Sequence, residues 1–161
     1  MENAEKRDLV LGGFYGRDGT TFSLRVVRPR AVRVTGKDLN AKPYTVECGP
    51  DAEEGGATVC RVDRATYVGW RTFHGICHTC HAQDALGSTF APDLLERMRH
   101  IDKAEFMKSL SEGFKGQVGV MPPWSQDPNV SKYFEELWAY LRARSDGALL
   151  PGRPKRLPAG P

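Results

Sequence analysis

The sequence predicts a mainly α-helical fold, preceded by an N-terminal extension of β-hairpin or extended character. Three observations predict it. The motif Cys77-His78-Thr79-Cys80-His81 follows a short helical stretch. An amphipathic stretch, Ser131 to Arg144, stands near the end of the chain. Residues 1–64 show no helical period, only partial alternation broken by glycine and proline.

Within that extension, Phe22 to Val27 and Ala31 to Val34 alternate apolar with polar residues and read as strands. Asn40 to Pro43 and Gly49 to Gly56 read as loops. Cys48 and Cys60 are expected to form a disulfide in an oxidising compartment, because the intervening Gly-Pro and Glu-Glu-Gly-Gly favour a turn. Free thiols are the alternative.

Thr66 to Phe73 (TYVGWRTF) reads as a helix running into Cys77. Gly69 and Phe73 lie four apart, on one face. Asp93 to Phe114 looks helical as well. In Ser131 to Arg144, Phe134, Leu137, Trp138 and Leu141 follow the three/four spacing of a buried stripe. Leu137 and Tyr140 are three apart and could flank Gly69 where the first and last helices cross. A glycine there lets two backbones approach closely. Pro151, Pro154 and Pro158 make the tail non-helical.

C-x-x-C-H is the attachment signature of a c-type haem. Two thiols three positions apart can each form a thioether to one vinyl group of the same porphyrin. The adjacent imidazole of His81 then reaches the iron. A redox dithiol or half of a zinc site are the rival readings of Cys77 and Cys80. Zinc wants a second C-x-x-C or a His pair at a defined distance, and a dithiol wants a βαβ pattern; neither is present.

Met98, Met107 and Met121 follow the motif and could supply the second axial ligand. Met121 is preferred, because Gly119-Val120-Met121-Pro122-Pro123-Trp124 reads as a loop stiffened by prolines. His100 is the rival, within a charged helical run. His74 and His78 are too near the motif to reach the opposite haem face and read as packing or solvent-facing residues. The aromatic core around Phe73 reads as the wall of the haem pocket.

One motif means one haem, and 161 residues fit one domain with an elaborated N-terminal part. A formal net charge of +3 is too small and too evenly spread to argue for nucleic acid. Basic residues gather at the end: Arg142, Arg144, Arg153, Lys155 and Arg156. Such a tail can steer an acidic partner or merely be solvated. No apolar run approaches the roughly 20 residues needed to span a membrane. Charged residues follow Met1 at once, so no export signal is visible; the sequence is read as a form from which that signal has been removed.

Residues from about Thr66 to Leu157 resemble a class I c-type cytochrome, and more narrowly the periplasmic cytochromes that serve pyrroloquinoline-quinone (PQQ) alcohol dehydrogenases in bacteria. The resemblance is carried by Tyr67 to His74, by Gly87 to Leu94, by Met121-Pro122, by Asp127 to Val130, by Tyr140 to Ala148 and by Gly152-Arg153-Pro154. The second proline and Trp124 after Met121 depart from the pattern, and so does the lead-in to the last helix.

The resemblance implies a class I cytochrome c fold over 65–145 around one covalent haem c, with 1–64 as an extension and 146–161 as an extended basic tail. Cys77 and Cys80 would be the attachment points, with His81 and Met121 as the axial ligands. Pro92 would accept a hydrogen bond from the second nitrogen of the ligand imidazole. Trp124 would lie against the haem edge or a propionate, and Phe73 would be among the haem-binding residues. The implied function is a periplasmic electron carrier, not an enzyme. A PQQ-dependent alcohol dehydrogenase is the implied donor, and another cytochrome or a terminal oxidase the acceptor. A carrier for a different dehydrogenase or oxidase, and a haem sensor or peroxidase-like protein, are the alternatives. A two-haem peroxidase would need a second haem motif, and there is none.

Overall fold

The computed structural model describes residues 43–116 and 119–158, together with two short strands near the N-terminus, β1 (Phe14–Tyr15) and β2 (Thr21–Phe22). The chain divides into two compact units, 1–30 and 31–161. In the first, β1 and β2 pair antiparallel, Phe14 opposite Phe22. Apart from Phe22, the strands expected over 22–27 and 31–34 lie outside the described residues.

The second unit opens with an antiparallel hairpin, β3 (Val46–Pro50) and β4 (Thr58–Val62). Residues 49 and 50, expected in a loop, are paired in β3. The turn is shorter, and the positive φ values of Gly55 (64°) and Gly56 (85°) let it close. Asp51 organises this turn: its carboxylate accepts from the backbone N–H of Glu53 at 2.9 Å, and its own N–H donates to the Ala57 carbonyl. Cys48 sits directly opposite Cys60 in the register, and the two form a disulfide. The tail returns as β7 (Lys155–Arg156), parallel to β4. Lys155 Nζ reaches the Asp51 carboxylate at 3.1 Å, so the turn and the tail share one anionic partner.

Helix α1 (Arg64–Thr72) starts two residues earlier than its apolar pattern suggests. Asp63 caps it, its Oδ1 accepting from the Thr66 N–H at 2.9 Å. The helix does not stop at Phe73 but widens into a π turn over Phe73–Cys77, then continues as α2 (His78–His81). The stretch expected to be helical over 93–114 divides into α3 (Leu94–Met98) and α4 (Lys103–Glu112). The break has a local cause: Asp102 turns extended and accepts from the Glu105 N–H at 2.8 Å, which starts a new helix.

Helix α5 (Phe134–Ser145), led in by a 3₁₀ turn at Ser131–Tyr133, packs on α1. The crossing sits at Gly69, as the sequence suggests. Its nearest neighbours there are the Glu136 carbonyl and Tyr140 Cβ, and Leu137 is not among the nearest atoms. Phe73 and Tyr140 are fully buried in this seam, with ring centroids 5.5 Å apart. Two more strands, β5 (Phe114–Lys115) and β6 (Val120–Met121), pair antiparallel. Among the described residues no helix is long and apolar enough to cross a membrane.

Candidate functional site

The π turn and α2 present the motif as one continuous helical ramp, so Cys77 and Cys80 lie one turn apart on it. Both thiols are free; Cys77 is half-buried and Cys80 exposed. Burial pushes the Cys77 thiol up to about 11, and the neighbouring Cys80 adds to the rise. A redox dithiol works through a thiol pushed down instead. Among the described residues no three His, Cys, Asp or Glu side chains converge on a point that could hold a metal ion, as a zinc site requires.

His81 ends the ramp and is buried. Its Nδ1 lies 3.3 Å from the Pro92 carbonyl oxygen. A carbonyl can only accept, so Nδ1 carries the proton and Nε2 keeps its lone pair. Burial lowers the imidazole's proton affinity, with the bond to Pro92 opposing it, so the ring favours the neutral form that a metal needs.

The loop that holds Pro92 is wired back onto the motif. The Gly87 N–H donates to the His81 carbonyl at 2.9 Å, and the Ser88 hydroxyl donates to the Cys80 carbonyl. Gly87 has φ +81°, and a Cβ there would fall 2.5 Å from the Asp93 nitrogen. Immediately after His81 the chain is strained: Ala82, Asp84 and Ala85 all have positive φ, between 57° and 68°. Buried Arg144 steadies this stretch, donating to the Leu149 carbonyl at 2.6 Å and to the Asp84 carbonyl at 3.4 Å. The Asp84 carboxylate in turn accepts from the Gly152 N–H at 2.9 Å. The motif is therefore braced by α5 and the tail together. The sequence pointed to no role for Asp84, and Arg144, read there as one of the basic residues gathered at the chain end, is instead buried.

Met121 is not in a loop but in β6, opposite Phe114 of β5, and is half-buried against the core. The two prolines that follow end the strand rather than create a loop. A Cβ on Gly119 would fall 2.6 Å from the Phe90 carbonyl, so the lead-in to Met121 lies against the loop that receives His81. Pro92 thus sits in a segment touched by His81 on one side and by the residues before Met121 on the other. Trp124 is half-buried on the core, its backbone N–H donating to the Leu110 carbonyl at 2.8 Å. Phe73 lies in the α1–α5 seam. Of the rival ligands, Met98 is a buried core residue, Met107 is partly buried against the same core, and exposed His100 pairs with Glu96 at 2.9 Å.

This donor set fits a haem: two unpaired thiols at the correct spacing, a neutral imidazole with a free Nε2, and a thioether. Leu86, Phe90, Phe114 and Val120, all exposed apolar side chains, lie on the same loop and hairpin that hold Pro92 and Met121. Apolar surface of that kind suits a flat hydrophobic macrocycle.

Comparison with known proteins agrees. Residues 65–141 match the family described as cytochrome C oxidase, cbb3-type, subunit III. The chain is 35% identical over 141 residues to cytochrome c-553I of Paracoccus denitrificans, covering 82% of this chain but spanning only 60% of that protein's length. It is 32% identical over 92 residues to cytochrome c-555 of Methylococcus capsulatus, across 56% of this chain and 72% of the relative. The crystal structure of the c-type cytochrome XoxG from Methylobacterium extorquens AM1 superposes with a TM-score of 0.59 at 31% identity, covering 79% of this chain and 78% of that one. With fold, motif and relatives in agreement, the chain belongs to the class I c-type cytochromes and its prosthetic group is a covalently attached haem c.

Proposed function

We propose that the protein is a periplasmic single-haem electron carrier that accepts electrons from a PQQ-dependent alcohol dehydrogenase and passes them to another cytochrome or a terminal oxidase. When bound, the haem supplies a one-electron ferric/ferrous couple. Cys77 and Cys80 would hold it through thioethers, and His81 Nε2 and the Met121 thioether would bind its iron. The observation that carries the reading is the His81–Pro92 contact of 3.3 Å, which leaves Nε2 as the only ring nitrogen able to bind a metal. Iron bound by both His81 and Met121 would keep no position open for substrate, which favours a carrier over a sensor or peroxidase. The thioether raises the potential, and apolar surroundings act in the same direction. Pro92 orients the imidazole, Trp124 and Phe73 wall the site, and Arg144 and Asp84 keep the strained turn after His81 in place.

Attachment of c-type haem outside the cytoplasm and the Cys48–Cys60 disulfide both favour the periplasm. The dehydrogenase assignment rests on the resemblance of the runs around the motif and around Met121 to those of cytochromes serving such enzymes. Stopped-flow mixing of the ferric protein with a PQQ alcohol dehydrogenase from the same source, plus its alcohol, tests it. Rapid, saturable appearance of the ferrous spectrum supports the donor. No reduction, in a sample that dithionite still reduces, moves the donor to another dehydrogenase.

A further inference from the structure

One face of α1 carries a row of rings that continues through the π turn into α2; His74, in the π turn, also meets Tyr140 of α5 at 5.9 Å. Tyr67 and Trp70 lie 5.7 Å apart, Trp70 and His74 5.0 Å, and His74 and His78 6.3 Å. The last of these is exposed and stands inside the C-x-x-C motif. The C-terminal segment folds onto the other end of the row. Arg153 lies over Trp70 and Arg156 over Tyr67, each with its guanidinium carbon 5.6 Å from the ring centroid. Arg153 also donates to the Tyr67 hydroxyl at 3.3 Å. Between them runs an open groove of about 330 Å³, lined by Tyr67, Trp70, Arg71, His74, Gly75 and Arg153.

The charges on this face differ from those elsewhere. Arg61, Arg97, Arg99, Arg142, Lys103 and Lys155 each pair with a carboxylate. Arg64, Arg71, Arg153 and Arg156 are exposed, and among the described residues no carboxylate lies within ion-pair reach of any of them. Two of the four are already held by stacking on aromatic rings. Such guanidiniums lose little freedom when they meet a carboxylate, and they present it with a fixed fork of donors.

We infer that this face of α1, with Arg153 and Arg156 laid over it, is the docking surface for a carboxylate-bearing segment of the electron-donating dehydrogenase. The inference rests on the electron-carrier reading above. The groove takes the acidic side chains, and the ring row sets the partner down beside His78 and the C-x-x-C motif. The uncompensated Arg71, Arg153 and Arg156 on this face, with Arg64 at the start of α1, also draw an acidic partner in from solution, an effect that salt screens.

The test is the double variant Arg71→Glu/Arg153→Glu, mixed in its ferric, haem-loaded form with a PQQ alcohol dehydrogenase from the same source. Two quantities are read: the second-order rate of reduction with alcohol present, and the affinity for the immobilised dehydrogenase without it. The expected result is a loss of about tenfold or more in both at low ionic strength, shrinking toward wild type as salt rises. The variant's absorption spectrum, potential and reduction by dithionite stay unchanged. Arg71→Lys/Arg153→Lys keeps most of the rate and guards against a folding artefact. Arg99→Glu/Lys108→Glu, with the same change in net charge on α4 and the end of α3, stays near wild type. Rates within twofold of wild type for Arg71→Glu/Arg153→Glu overturn the docking surface alone, as does an equal loss in Arg99→Glu/Lys108→Glu. A wild-type protein that the dehydrogenase neither binds nor reduces, while dithionite does reduce it, overturns the donor assignment and this surface together.

Discussion

Gly69 of α1 lies so close to the Glu136 carbonyl of α5 that a Cβ on it would fall 1.9 Å from that oxygen. The contact is backbone to backbone, so no flexible side chain can move aside. Tyr140 Cβ, at 2.8 Å, closes the other side. Gly69→Ala therefore forces α1 and α5 apart along the seam that buries Phe73 and Tyr140. A cost on the order of 3 kcal/mol is expected, at the upper end for overpacking. Thermal unfolding of the haem-loaded protein measures it. A melting temperature equal to wild type would mean the helices can part without losing the seam.

Met121 is the second prediction. Met121→Ala removes the methionine two residues after Gly119, which lies against the Phe90 carbonyl of the loop holding Pro92. The ferrous variant should bind carbon monoxide readily at neutral pH, where wild type resists it, and its potential should fall. Redox titration and a carbon monoxide difference spectrum read both effects. An unchanged spectrum and potential would assign the ligand elsewhere, with His100 first in line. That histidine is exposed and bonded to Glu96, so reaching the iron would require this bond to break.

Gly69 was legible because a glycine on the apolar face of a helix has a packing meaning, whereas the loop expected around Met121 is a strand in the structure, paired with Phe114. The motif and α5 were legible because their chemistry and period are local. The β3–β4 hairpin was harder. Its strands are only five residues each, and the Gly-Pro at 49 and 50 that reads as a loop is paired in β3. The break between α3 and α4 had a readable sign, since Asp102 followed three residues later by Glu105 is a helix-start pattern. The π turn before Cys77 and the positive φ values after His81 had none. The positive φ values are held by tertiary partners of Asp84, Arg144 and Gly152, which lie 60 and 68 residues away in the chain.

The Cys48–Cys60 disulfide gives the third prediction. It links paired strands across a short loop, with residue separation 12. Closing a loop of that size contributes about 3 kcal/mol in the chain-entropy view. Cys48→Ser/Cys60→Ser should lose stability of that order while keeping the haem spectrum, because the motif is braced by α5 and the tail rather than by the hairpin. Denaturant unfolding followed by tryptophan fluorescence reads the loss. Intact mass after alkylation without reductant gives an independent check: labelling of both cysteines in the wild-type protein would rule the bond out.

Asp51 gives the last prediction, on pH. The hydrogen bond from Lys155 holds its carboxylate below the ordinary range, helped by the Glu53 N–H and Arg61 and opposed by burial. Since the folded value is the lower one, the stabilisation is present in full above the unfolded value of about 3.9 and is lost as pH falls through the folded value. Lys155 is raised by the same contact, so its share is lost only at strongly alkaline pH. Asp51→Asn should therefore melt below wild type at neutral pH, and the gap should close as the solution is taken below about pH 4. Added salt should narrow it as well, because Lys155 and Arg61 are each about one-third exposed. Melting curves from pH 7 down to pH 3 decide the matter. A gap that stays constant across that range would assign the role of Asp51 to its hydrogen bond with the turn backbone and remove the charge pairing with β7 as a source of stability.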